Sequence, residues 1–143
     1  MSSREQMSTA RSDEVLIPSG DVMLEGELSI PVGAQGVVLF AHGSGSSRHS
    51  PRNQFVARTI REAGTGTLLF DLLTREEEAV DIHTRHLRFD IGLLAHRLED
   101  ATNWVNREED IQHLRVGYFG SSTGGGAALV AAALIGEEIG AVV

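Results

Sequence analysis

The sequence contains no cysteine, so disulfide frameworks, thiolate nucleophiles and cysteine-held zinc are all excluded. Proline is scarce, 3 residues against 16 glycines, a balance that suits tight strand-to-helix turns rather than a linker-rich chain. Positive charge is short as well. Only 12 Lys+Arg stand against 20 Asp+Glu, a net charge of -8, which argues against a broad nucleic-acid or anionic-membrane surface. Long hydrophobic runs are missing; the apolar stretches are short and broken by glycine, so none spans a bilayer. Met1 to Arg11 is polar and lacks the apolar centre of a secretory signal. The expectation is a cytoplasmic protein with no nucleic-acid and no membrane partner.

What is present suits one folded domain. With 143 residues, 41% hydrophobic and 22% charged, the chain builds one core but not two. Residues 1–12 read as a disordered tail and 13–143 as the domain. Val15-Leu16-Ile17-Pro18 and Val22 to Ile30 read as strands around a Ser19-Gly20-Asp21 turn. In the second, Val22, Leu24, Gly26, Leu28 and Ile30 alternate with Met23, Glu25, Glu27 and Ser29, the mark of a half-buried antiparallel strand. Gly36 to Ala41, Gly66 to Phe70 and Val116 to Gly120 are apolar without alternation, as strands covered on both faces are. Ile139 to Val143 starts another.

Helices fall between these strands. Ser50 is a good N-cap, Pro51 fits the first helical position, and Gly64 supplies the stop. Phe55, Val56, Thr59, Ile60 and Ala63 are expected to form that helix's inner face. A second helix carries Leu87, Ile91, Leu94, Leu98, Ala101 and Val105 at alternating spacings of four and three. An Ala-rich third runs from about Thr123 to Ile135. The order β-β-β-α-β-α-β-α-β predicts an α/β three-layer sandwich, its sheet mostly parallel with antiparallel N-terminal strands. Ligands in such sheets sit at the carboxyl ends of the strands.

Two glycine-rich segments fall at those ends. Gly120-Ser121-Ser122-Thr123-Gly124 is a G-x-S-x-G pentapeptide that follows a buried strand and opens a helix. Such a turn lifts its central residue clear of the sheet, and flanking glycines avoid collisions with neighbouring backbone. Ser122 is therefore the candidate nucleophile, with free N–H groups of the helix N-terminus beneath it. His42-Gly43-Ser44-Gly45-Ser46-Ser47 follows the first central strand. Its Ser44 N–H, with the N–H of Thr123, would form a two-donor oxyanion hole. His42 reads as a structural or loop-ordering side chain. Asp71, ending a strand, reads as a loop-capping carboxylate rather than a catalytic one. Thr74 to Arg88 is highly charged and sits where a lid could form; the bland reading is a solvated connection. Its His83 and His86, three apart, lack an evident third ligand, so no metal is expected.

Together these residues resemble the α/β-hydrolase superfamily, and specifically its dienelactone-hydrolase-like members. The resemblance rests on Phe40-Ala41-His42-Gly43-Ser44-Gly45-Ser46-Ser47-Arg48, Leu69-Phe70-Asp71-Leu72-Leu73-Thr74, Arg88-Phe89-Asp90-Ile91 and Gly117 to Gly124. It implies hydrolysis of small carboxylic esters or lactones without a cofactor, with Ser122 as nucleophile and Ser44 and Thr123 as oxyanion donors. The superfamily order is Ser, acid, His. Here all six histidines precede Ser122, and the only acids after it are Glu137 and Glu138. The triad acid and base are therefore expected outside these residues, and the domain is expected to be C-terminally incomplete. The Ile139–Val143 edge would then be poorly protected, favouring a homo-oligomer or aggregation. Two rival readings remain. One is a catalytically inactive binding module of the same fold. The other is a phosphate or nucleotide binder, weakened by the lack of a P-loop and by Arg48 where a third glycine would follow Gly43 and Gly45.

Overall fold

A computed structural model describes residues 10–42, 48–87, 90–120 and 139–143. β1 (Arg11–Ser19) and β2 (Val22–Ile30) form a hairpin, with Gly20 in the left-handed region at φ 58°. β3 (Gly36–Ala41), α1 (Pro51–Glu62), β4 (Gly66–Phe70), α2 (Arg75–Thr84), α3 (Ile91–Arg107), β5 (Arg115–Gly120) and β6 (Ile139–Val142) follow. One six-stranded sheet has the order β1-β2-β4-β3-β5-β6. β1, β2 and β4 pair antiparallel; β4, β3, β5 and β6 pair parallel. This is the expected α/β class. The first strand is longer than its sequence pattern, because Arg11 and Ser12 pair with Ile30 and Ser29 and so belong to the sheet rather than to a tail.

Alternation along the central strands divides the core between two faces. Leu39, Leu68, Phe70, Val116 and Tyr118 face the larger cluster, where Leu94, Leu98, Ala101 and Val105 of α3 pack. Phe40 and Leu69 face the other side, against Ala57, Val56 and Ile60 of α1. The rings of Phe40 and Phe119 lie 5.1 Å apart there. With a helix on each face, the described residues form three layers. In β2, Gly26 lies opposite Phe70, and a Cβ there would come within 2.9 Å of the Phe70 Cβ. The position is therefore closed to a side chain.

The helices depart from their patterns in three ways. In α1, Phe55 is 63% exposed and Thr59 faces solvent, while Asn53 and Ala57 are buried. Positions 55 and 57 lie about 200° apart around the helix, so burying Ala57 turns Phe55 outward. Ser50 occupies the N-cap without a side-chain hydrogen bond, and Gly64 follows Ala63 at φ 95° as the helix stop. Leu87 lies outside α3, because Asp90 caps the helix by accepting from the Leu93 N–H at 3.0 Å. And part of the charged connection after Thr74 is the helix α2. The Ala-rich helix expected over Thr123 to Ile135 falls outside the described residues.

Candidate active site

Three strands deliver the chemistry-bearing segments to one edge. β3 and β5 run parallel in a register that pairs Phe40 with Phe119 and Ala41 with Gly120. Neighbouring strands stand about 4.8 Å apart. β3 and β5 therefore end side by side at the carboxyl edge of the sheet, Ala41 next to Gly120. β6 extends this arrangement: the Gly120 N–H donates to the Val143 carbonyl at 2.9 Å, and the Val143 N–H to the Tyr118 carbonyl at 2.8 Å. Ser122, Thr123 and Ser44 themselves lie outside the described residues.

Described residues near these strand ends form a partly buried polar cluster, in which Arg48 and His42 are the buried members. Asp71 follows β4, with its N–H donating to the Glu25 carbonyl at 3.0 Å. Its Oδ1 accepts from the Arg48 N–H at 3.0 Å, and its Oδ2 pairs with the Arg48 guanidinium. That guanidinium also stands 3.4 Å from Glu25 Oε2, which Arg75 meets at 3.1 Å. The Arg48 carbonyl accepts from Gln54 Nε2 at 2.6 Å, and Gln54 reaches Glu27 at 3.2 Å. His42 is 7% exposed, its Nε2 3.8 Å from Asp71 Oδ1. Asp71 thus takes the loop-ordering place its position at a strand end suggested. Arg48 is the residue sequence reasoning passed over. It stood inside a quoted motif, but nothing in a local pattern tells that an arginine on a loop will be only 6% exposed.

Beyond β4 the chain is fixed by a second set of polar contacts. Thr74 and Glu77 form a reciprocal capping box. Arg97 of α3 donates to Glu77 at 2.5 and 2.7 Å and to the Leu72 carbonyl at 2.9 Å. The hydrogen bonds from Arg97 hold the Glu77 carboxyl below the usual carboxylate range, against the opposing effect of partial burial. A groove of about 500 Å³ runs between this segment and the hairpin, reaching from Leu16 and Met23 to Asp71 and Arg75. His83 and His86 are exposed, and no group of three metal-ligating side chains gathers among the described residues. No helix among them is long and apolar enough to cross a membrane.

No protein-family model matches the chain. Two Mycobacterium tuberculosis proteins, provisionally named phosphoribosyl transferases, are each 55% identical to it over 123 residues, 86% of this chain and 27% of theirs. The chain thus spans about a quarter of the length of these curated relatives. Among solved structures, it is 62% identical to a dienelactone hydrolase from Anabaena variabilis, with a TM-score of 0.90 over 93% of this chain and 62% of that one. An esterase from Pyrococcus furiosus shares the fold at a TM-score of 0.73 and 19% identity, over 99% of this chain and 52% of that one. In sequence the chain is thus similar to a dienelactone hydrolase, and its fold is the α/β fold of the hydrolase structures it matches.

Proposed function

We propose that the protein is a serine hydrolase of small carboxylic esters or lactones. The observation that carries this reading is the register between β3 and β5. It sets Gly120, the first residue of the G-x-S-x-G sequence, beside Ala41, the last residue of β3. In this mechanism the Ser122 Oγ attacks the acyl carbon and loses its proton to a base. The N–H groups of Ser44 and Thr123 hold the negative charge that develops on the carbonyl oxygen. The alkoxide leaves with that proton, and water hydrolyses the acyl-serine. Neither a metal nor an organic cofactor takes part in this scheme. The phosphoribosyl transferase name is not carried over, since it belongs to proteins that match this chain over 27% of their length.

The reading assigns no residue of this chain as the triad acid or base, since all six histidines precede Ser122. Serine is a poor nucleophile without a base. His42 is buried against Asp71, a place for a structural side chain. Residues 1–143 by themselves should therefore turn over p-nitrophenyl acetate feebly, and the full-length gene product robustly. Loss of a catalytic serine in a comparable machine costs on the order of a million-fold in turnover. Ser122→Ala should abolish activity and fluorophosphonate labelling of the full-length product. Wild-type turnover in Ser122→Ala would refute the assignment, and an unlabelled wild-type protein would favour a binding module. Strong turnover by 1–143 that disappears in His42→Ala would make His42 the base. The same reading places the protein in the cytoplasm and allows self-association along the β6 edge, which sedimentation velocity tests.

A further inference from the structure

We propose that the groove between the β1–β2 hairpin and the segment following β4 binds a small ligand with a primary ammonium head and a short apolar stem. Nothing in this requires Ser122 to be a nucleophile. The groove holds about 500 Å³, within the range of small-molecule sites. Its apolar wall is an open part of the sheet. In β1 and β2, Ile17 and Leu24 turn into the core shared with α3, so Leu16 and Met23 turn to the opposite face. There they are diagonal neighbours, since Leu16 pairs with Glu25 and Pro18 with Met23. Over β3 and β4 this face is covered by α1, where Phe40 and Leu69 meet Ala57. Over the hairpin, Leu16 and Met23 stay 56% and 49% exposed and look across the groove at the first turn of α2. Val22 and Leu73 continue the apolar lining.

Charge selects the head group. Asp21, Glu25, Asp71, Glu76 and Glu77 all line the groove. Arg48 holds Asp71 and Glu25, Arg75 also meets Glu25, and Arg97 holds Glu77. Five carboxylates thus meet three guanidiniums. Asp21 and Glu76 stand exposed with no ion pair among the described residues. A cation gains from that excess, and an anion of the same shape loses by it. Both walls are set before a ligand arrives. The hairpin keeps one continuous register from Arg11–Ile30 to Ser19–Val22. Opposite it, the Thr74–Glu77 capping box and the bond from Arg97 to the Leu72 carbonyl at 2.9 Å fix the chain. Walls already in place lose little entropy when a ligand binds.

The test is isothermal titration of the full-length gene product at low ionic strength, with n-butyl-, n-pentyl- and n-hexylammonium chloride, sodium hexanoate and hexanol. Affinity should rise about fourfold per methylene along the ammonium series, as each CH₂ leaves water. Hexanoate should bind at least about tenfold more weakly than hexylammonium. Asp21→Asn and Glu76→Gln should each weaken hexylammonium about threefold, the effect of one unit charge about 6 Å away in water, and about tenfold together, with hexanol unchanged. Leu16→Ser/Met23→Ser should instead flatten the chain-length series. All four positions are exposed, so the fold should survive these changes. Equal affinities for hexylammonium and hexanoate would overturn the proposal, as would a lack of binding altogether. A chain-length series already flat in the wild type would overturn it too, since only diffuse attraction of counter-ions would remain.

Discussion

The helices α2 and α3 follow one another in the chain but are attached to the sheet by different physics. α3 buries Leu94, Ala95, Leu98, Ala101 and Val105 in one stripe, the usual way an amphipathic helix docks. α2 buries a single residue, Asp81, and leaves Val80 and Ile82 more than 60% exposed. Its attachments are polar: the Thr74–Glu77 capping box, the Glu77–Arg97 pair, and the Asp81 carboxylate accepting from the Leu87 N–H at 2.6 Å. A hydrophobic stripe is non-directional and forgiving, whereas each polar attachment depends on one partner being in one place. α3 is therefore expected to share the stability of the core, and α2 to open more readily.

The largest effect should come from the stripe. Leu98 is fully buried, and Leu98→Ala should cost about 3 kcal/mol in urea unfolding, through lost transfer energy and the cavity left behind. A loss under about 1 kcal/mol would mean that α3 collapses onto the gap and is not the anchor described. Glu77→Ala should come next, at about 2 kcal/mol, because it removes the Arg97 partner and half of the capping box together. The guanidinium it strands is only 7% exposed. If Glu77→Ala instead costs as much as Leu98→Ala, the two helices are one cooperative unit and the contrast fails.

The same pair gives a pH signature. The Glu77 carboxyl is held low in the folded state, chiefly by hydrogen bonds from Arg97, so the unfolded chain binds its proton more readily. Its contribution is fully present above the unfolded value, about 4.3, and is lost as pH falls through the lower folded value. The urea midpoint of the wild type should fall on acidification below about pH 4.3 more steeply than that of Arg97→Met. Parallel acid limbs for the two proteins would show that the pair does not hold the carboxyl down.

The contrast also explains what the sequence makes legible. β2 is readable because alternation from Val22 to Ile30 marks its buried face, and β3 and β4 because their apolar runs mark central strands. For α3 the repeat at Leu94, Leu98, Ala101 and Val105 is the helix's own docking surface, so reading it reads the contact. α2 offers no such stripe. Its one local signal is Thr74-x-x-Glu77, a capping-box signature that marks a helix start even where the apolar pattern fails. At the candidate site, the two glycine-rich segments are local patterns and stand out at once. The Asp71–Arg48 contact is not local: it joins residues 23 apart, and it forms because β4 pairs with β3. Phe55 illustrates the limit from the other direction, since its apolar character suggests an inner face that the buried Ala57 takes instead.

The smallest expected effect is the most discriminating for α2. The Glu77 N–H donates to Thr74 Oγ1 at 3.1 Å, and the Thr74 N–H donates back to Glu77 Oε1 at 2.9 Å. Thr74→Ala removes the first of these and should cost about 1 kcal/mol, the usual loss of a helix cap; Thr74→Ser keeps the oxygen and should stay near wild type. Because no apolar stripe compensates, the loss should appear locally. Native-state hydrogen exchange should show faster opening of the α2 amides in Thr74→Ala, while those of α3 keep their wild-type protection. Equal loss of protection in both helices would mean that α2 opens only with the core, and that its few polar attachments bind it as firmly as the stripe binds α3.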